Sequence, residues 1–263
     1  MKKNIFKIVF GGLLAVIRNI LYFTFYIIAF PFAFIFSKCK IKNKDNLNKT
    51  DEARVFVANH YEIYGPYISY MHFPYRFRPW IIDKMIDPKT VEQHMSIGIY
   101  QQFPKYPKWL KFIVIKLLKS IMVFFMKTIA RGIPVSREDF RKNIKTMQIS
   151  TETLEKGESI LIFPEESSVK EGVGNFMTGF EHLGKHYFQK IGKKISFYPV
   201  FISKINKSMY IGKPVVFNPE NDANSEKERI VETLHDEMLN DYIKYECGKP
   251  SKKAKKLSTK RRK

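Results

Sequence analysis

The sequence predicts an α/β fold with a single mixed or mostly parallel sheet flanked by helices. Short apolar runs at residues 55–58, 159–163 and 195–202 have the length and composition of buried strands. Segments with helical periodicity lie between them, at residues 140–154 and 178–189. Strands that alternate with helices are typical of an α/β core. At 263 residues, the chain is long enough for one domain of catalytic size with appendages.

Capping and turn signals define further elements. Ser136 followed by Asp139 has the pattern of a capping box, and Gly157 is a natural stop for the helix that it opens. Residues 209–217 resemble an edge strand, because Pro214 cannot donate to a sheet ladder. The remaining predicted elements are a short helix from residue 67, strands at 80–83 and 132–135, and a closing helix at 225–245.

Residues 1–42 are predicted to anchor the chain in a membrane. Ile, Leu, Phe and Tyr dominate residues 5–36, and only two residues there are charged. The most apolar part, residues 20–36, would rise about 25 Å as a helix, slightly less than a bilayer core of about 30 Å. Lysines on both flanks give no orientation and favour a helix or helical hairpin in one leaflet over a single span. A polar linker follows at residues 43–53, before a catalytic domain at residues 54–248.

The chain is strongly basic, with a formal charge of +21. Residues 249–263 hold nine lysines and arginines and no acid, which indicates a disordered basic tail and leaves +12 on the rest. Such charge favours a polyanionic partner, either nucleic acid or an anionic membrane surface. The apolar N-terminus and the lack of a nucleic-acid-binding motif favour anionic membrane lipids.

Residues 104–130 combine many large apolar side chains with lysines and no acid. Two interpretations are open. A basic amphipathic helix of this composition suits a lipid interface. A core helix with a solvated lysine face would have the same composition.

Polar residues follow two of the predicted strands. His60 comes directly after the first, and the sequence Phe163-Pro164-Glu165-Glu166 comes after a later one. Ligands of open α/β sheets bind beyond the carboxyl ends of strands, and an imidazole there can accept a proton near neutral pH. A single histidine that follows a strand is more often a structural loop residue than a catalytic one. The second polar segment, at the end of the later strand, is the observation that favours a site.

Four blocks in order resemble the glycerolipid acyltransferase family, in particular the 1-acyl-glycerol-3-phosphate (lysophosphatidic acid) acyltransferases. They are Asn59-His60, then residues 131–137 (RGIPVSR), then residues 163–167 (FPEES), then Tyr198-Pro199-Val200. The resemblance spans about residues 54–217. It implies a glycerol-phosphate-acyltransferase-like fold and an enzyme that acts at the cytoplasmic face of a membrane.

The chain departs from the family pattern at two places. Gly65 stands where the family has an aspartate five residues after the histidine, and Glu166 and Ser168 replace the glycine and arginine of the third block. An acid in that first position orients the imidazole, and its loss can cost about 10⁴ in rate in a hydrolytic triad. Glu62 is the nearest substitute in sequence and is predicted to be catalytic with His60, while Glu165 and Glu166 remain alternatives.

The resemblance implies a role for each matching residue. His60 would take the proton from an acceptor hydroxyl, which attacks the thioester of acyl carrier protein or coenzyme A directly. Arg137 would bind the acceptor phosphate through its planar fork of donors, and Phe163, Pro164, Glu165 and Ser167 would position the acceptor, a lysophospholipid. No metal and no cofactor are expected besides the acyl thioester.

Overall fold

The computed structural model describes residues 37–48, 53–102, 104–166 and 172–247, together with residues 16, 17, 19–21, 24 and 27. The described parts of residues 1–35 and 77–149 form one unit, called the smaller unit here, and the described parts of residues 36–76 and 150–263 form the larger unit. Most of the predicted anchor and the whole of the basic tail lie outside the described residues.

Strands and helices alternate along most of the chain. The strands are β1 (Lys40–Lys42), β2 (Ala53–Ala58), β3 (Phe77–Ile82), β4 (Ile133–Val135), β5 (Ser159–Ile162), β6 (Ile195–Ser203), β7 (Ser208–Ile211) and β8 (Val215–Val216). The helices are α1 (Tyr64–His72), α2 (Val91–Gln102), α3 (Lys108–Phe124), α4 (Phe140–Glu155), α5 (His182–Ile191) and α6 (Ala223–Tyr245).

The sheet of the larger unit has the strand order β1-β7-β6-β2-β5, and β8 pairs with β6. Strand β2 is parallel to both of its neighbours, β5 and β6, whereas β7 and β8 run antiparallel to β6. The sheet is therefore mixed and its centre is parallel, which confirms the α/β class.

The core of the larger unit is built on its central strands. All nine residues of β6 and the last four of β2 are buried. Strands covered on both faces are apolar at successive positions, which explains why these segments show continuous apolar runs and no alternation. Helices α5 and α6 both contact β6.

The smaller unit contains a parallel pair of strands, β3 and β4, and the packed helices α2 and α3. In the turn after β4, the Ser136 hydroxyl accepts from the Asp139 backbone N–H at 3.1 Å, which is one half of the predicted capping box. The other half is absent, because the Ser136 N–H binds Asn143 and not Asp139, and the helix begins only at Phe140. The Asn143 side chain accepts from the Ser136 N–H at 2.9 Å and donates to the Ser136 carbonyl oxygen at 2.9 Å, so the turn is fixed from both sides.

Three predicted features differ in the structure. Residues 209–217 were expected to form one edge strand, but Pro214 lies between two strands, and β7 pairs on both sides. The neighbour of β7 is β1, which belongs to the segment predicted as the anchor. Helix α5 begins at His182, four residues later than the predicted helix.

None of the helices that can be described is long and apolar enough to span a bilayer.

Candidate active site

The central parallel strands bring two polar segments to one edge of the sheet. In the ladder between β2 and β5, Val57 pairs with Ile162, so the two strands end at the same level. His60 follows β2 by two residues, and Glu165 follows β5 by three. The two polar segments that follow these strands therefore lie at the same edge of the sheet.

Asn59 fixes the end of β2 through its side chain. Its amide oxygen accepts from the Ile202 backbone N–H at 2.7 Å, and its amide nitrogen donates to the Ile202 carbonyl oxygen at 3.1 Å. Asn59 is fully buried, and its carboxamide thus supplies the bonds that a further backbone residue would have made with β6. The backbone of His60 therefore starts from a fixed point.

The chain after His60 turns sharply. Tyr61 and Glu62 both have left-handed backbone conformations, with φ of 47° and 57°, which cost side-chain-bearing residues about 1–2 kcal/mol each. The Gly65 N–H donates to the His60 carbonyl oxygen at 3.1 Å and closes the turn into α1. Strained residues of this kind concentrate at functional sites.

Gly65 has no room for a side chain. A Cβ atom built on it would overlap the carbonyl oxygen of His60 and lie 2.8 Å from that of Asn59. Both obstacles are backbone atoms, which cannot rotate away. The aspartate that the family carries at this position therefore cannot be accommodated by this turn.

We expect Gly65→Ala to lower the free energy of unfolding by about 3 kcal/mol, because the turn must open to admit one methyl group. Circular dichroism during thermal unfolding would measure the loss. Tyr67→Ala is the matched control, since Tyr67 lies on the same helix and is 37% exposed. Equal melting temperatures for Gly65→Ala and the wild type would show that the turn is more open than described.

Glu165 connects the two segments at the sheet edge. One carboxylate oxygen, Oε2, accepts from the His60 backbone N–H at 2.9 Å, and the other, Oε1, accepts from the Gly174 N–H at 2.9 Å. The residue is only 3% exposed. Around it, Met177 N–H donates to the Pro164 carbonyl oxygen at 2.7 Å, and residues 165 and 176 form an antiparallel bridge. Glu165 thus connects the His60 backbone to the loop that contains Gly174.

Burial raises the pKa of Glu165, while the N–H groups of Gly174 and His60 and the charge of His235 oppose that rise. His235 lies on α6 and packs edge-on against Phe176, with ring centroids 5.1 Å apart. A second imidazole is therefore close enough to influence the carboxylate. No sequence motif contains His235, because only the folding of α6 brings it close to Glu165.

The His60 ring packs against an aromatic ring from the third block. It meets Phe163 edge-on, at 5.2 Å between centroids. His60 is partly exposed as a whole, whereas its Nδ1 atom is buried. The position of the ring is therefore set by Phe163 on one side and by the anchored backbone.

Glu62 lies in the turn beside His60 and is partly exposed. Its side chain makes no hydrogen bond or ion pair with another described residue. Its assignment as the acid that replaces the missing aspartate stays a prediction.

Arg137 and Ser167, also predicted to bind the acceptor, are not part of this arrangement as described. Ser167 lies outside the described residues. Arg137 is an exposed residue of the smaller unit, next to the capping turn. Burial lowers the pKa of His94 in that unit, and the positive charges of Lys84 and Arg137 lower it further. Lys84 and Arg137 therefore both lie close enough to His94 to act on it, and Lys84 also pairs with Glu138 at 2.5 Å.

Two of the cavities in the described part of the larger unit lie elsewhere. One, of about 300 Å³, lies between α5 and the start of α6, and the other lies along α6. Neither is lined by His60 or Glu165.

A family model described as acyltransferase matches residues 94–203, about two-fifths of the chain. The matched part contains the blocks at 131–137, 163–167 and 198–200 and begins after His60. No curated protein and no solved structure matches the chain. The match supports an acyltransferase, and with it acyl transfer as the general function of the chain.

Proposed function

We propose that the chain is a membrane-associated acyltransferase that moves a fatty acyl group from a thioester to the hydroxyl of a lysophospholipid such as 1-acyl-glycerol-3-phosphate. The observation that carries the proposal is the anchoring of His60 by Glu165 at the sheet edge, at 2.9 Å between backbone nitrogen and Oε2. A half-buried imidazole with a fixed backbone is suited to act as a general base.

The proposed reaction is a direct transfer with no covalent enzyme intermediate. His60 accepts the proton of the acceptor hydroxyl, and the hydroxyl oxygen attacks the thioester carbonyl carbon. The carbon–sulfur bond then breaks, and the leaving thiolate of coenzyme A or acyl carrier protein takes up a proton from the imidazolium. Since Nδ1 is buried, we assign the proton transfer to Nε2.

Arg137 and the 163–167 block are the proposed acceptor-binding residues. The guanidinium of Arg137 offers a planar fork of donors that suits a phosphate, which supports a phosphate-bearing acceptor. Phe163 packs on the His60 ring, so that block is placed to hold the acceptor beside the base.

Membrane association and a location on the cytoplasmic face belong to the same proposal. The part of residues 1–42 that precedes β1 would supply the anchor, and the basic tail at 249–263 would be attracted to anionic lipid by about 1 kcal/mol per charge near the surface.

An acyl-transfer assay tests the proposed function. The full chain, purified in detergent, is incubated with lysophosphatidic acid and either acyl-coenzyme A or acyl carrier protein thioester, and phosphatidic acid is measured by mass spectrometry. Lysophosphatidylcholine serves as the acceptor without a phosphate monoester. Formation of phosphatidic acid supports the proposal, and equal use of both acceptors would contradict phosphate recognition. A lack of product with either acceptor and either donor would overturn it.

A second candidate is an acyl- or lipid-binding protein that keeps the fold without the chemistry. The closed turn at Gly65 favours it, because that turn excludes the family aspartate. Saturable binding of lysophosphatidic acid or acyl-coenzyme A without turnover would support this alternative.

We expect Glu62→Gln to lower kcat by about 10² or more if Glu62 orients the imidazole, because the amide cannot stabilise the imidazolium. The left-handed backbone at this position would suit glycine better than glutamate, which supports a use for the side chain. The control is Glu152→Gln, an exposed glutamate of the larger unit. Undiminished acyl transfer by Glu62→Gln would remove Glu62 from the mechanism.

A further inference from the structure

The outward face of α3 is the most apolar face of that helix. Trp109, Leu117 and Ile121 are each more than 60% exposed. The large apolar side chains of α3 that are at least about 45% exposed are Trp109, Phe112, Ile113, Leu117, Ile121 and Phe124. Positions 109, 113, 117 and 121 are four residues apart and therefore form one stripe. From residue 109 to residue 124 the stripe is about 22 Å long.

The buried face of the same helix includes a charged residue. Lys111 and Ile115 are buried, and the Lys111 ammonium lies 4.9 Å from the centre of the Tyr100 ring on α2. An ordinary surface helix buries its apolar stripe and exposes its charges. In α3 the large apolar side chains face outward, so the interpretation of residues 104–130 as a core helix with a solvated lysine face does not describe it.

The charged residues of the segment that carries the stripe have one sign. From Lys105 to Lys127 there is no acidic residue, and Lys105, Lys108 and Lys127 are exposed at the two ends of the helix. Two further lysines on α3, Lys116 and Lys119, bind Glu92 of α2 at 2.6 and 2.9 Å. The apolar stripe is thus flanked by cations at both ends.

The combination of an apolar stripe with flanking cations favours one kind of partner for this face, an anionic lipid bilayer. A second copy of the stripe would bring the same cations face to face, which like-charge repulsion opposes. An anionic phospholipid bilayer accepts the stripe among its acyl chains while the lysine ammonium groups reach the phosphates. Trp109, near one end of the stripe, suits the boundary between head groups and acyl chains.

We propose that the outward face of α3 is a membrane-insertion surface, with the helix lying in the plane of an anionic bilayer. The proposal deepens the proposed membrane association by naming the part of the folded chain that meets lipid. It does not depend on acyl transfer, and its test reads lipid contact directly.

The chain has two tryptophans, Trp80 and Trp109, which provide a matched pair of probes. Full-length Trp80→Phe, which retains only Trp109, is mixed with vesicles of phosphatidylcholine and phosphatidylglycerol whose acyl chains are brominated. We expect a blue shift and strong quenching of Trp109. Full-length Trp109→Phe, which retains only Trp80 in β3, is the control and should show much less quenching. Vesicles of phosphatidylcholine alone should bind at least about tenfold more weakly.

The double variant Leu117→Glu/Ile121→Glu should lower vesicle partitioning by at least about tenfold, while Ile144→Glu, at an exposed isoleucine of α4, should not. Protein that binds vesicles without quenching of Trp109, or that does not bind them at all, would overturn the proposal. A blue shift of Trp109 that depends on protein concentration and occurs without vesicles would assign the stripe to self-association. Quenching without acyl transfer would leave the surface standing and remove the enzymatic function alone.

Discussion

Replacing His60 with alanine is expected to lower acyl transfer from an acyl thioester to lysophosphatidic acid by about 10²–10⁴-fold, because the acceptor hydroxyl then has no general base. The loss should appear in kcat, since the imidazole acts on the reacting proton and contributes little to ground-state binding. The profile of kcat/KM against pH should also lose its ascending limb, which reports the deprotonation of the free enzyme's base.

His182→Ala is the control for His60→Ala. His182 lies at the start of α5 in the same unit, and its side chain is 59% exposed. Its loss should change neither the rate nor the melting temperature. Turnover that survives in His60→Ala, with an unchanged pH profile, would remove the proposed mechanism while leaving the fold assignment intact.

The sequence predicted the two residues at the sheet edge because their signals are local. His60 and Glu165 each follow an apolar run of strand length, and the preference of α/β sheets for sites at the carboxyl ends of strands connects them. Most helices and strands were predicted for the same reason, since capping and periodicity are carried by neighbouring residues. Element type depends on short stretches of chain.

The contacts between distant segments could not be predicted in this way. The bonds from Asn59 to Ile202 depend on β6 lying beside β2, across 143 residues. The proximity of His235 to Glu165 depends on where α6 crosses the sheet. Likewise, the sequence shows only that Gly65 stands where the resembled family has an aspartate. The structure shows in addition that the backbone carbonyl groups of His60 and Asn59 leave no room for a side chain at this position.

Removing the Glu165 side chain should have a larger structural effect than removing that of His60. In Glu165→Ala the backbone N–H groups of His60 and Gly174 both lose their acceptor, and an unpaired buried N–H costs about 1–3 kcal/mol. Glu165→Gln keeps one oxygen and should lose about half as much. Release of the His60 backbone should also lower kcat by about 10², since small displacements of a catalytic group are costly.

The stability difference between wild type and Glu165→Gln should depend on pH, and the burial of Glu165 determines whether the difference grows or shrinks as the pH rises. Because burial raises its pKa above the ordinary value of 4.5, the folded chain retains a proton that the unfolded chain has released in the window above pH 4.5. Glu165 therefore makes its full contribution to the free energy of unfolding below that window, and this contribution decreases as the pH rises through the pKa of Glu165 in the folded chain. Glutamine does not titrate, so the stability difference between wild type and Glu165→Gln should shrink over the same window. Thermal unfolding of the two proteins across pH 4 to 8 would measure the difference. A difference that grows with pH would mean that the ionised carboxylate is the favoured form, and the N–H groups of His60 and Gly174 would then outweigh its desolvation.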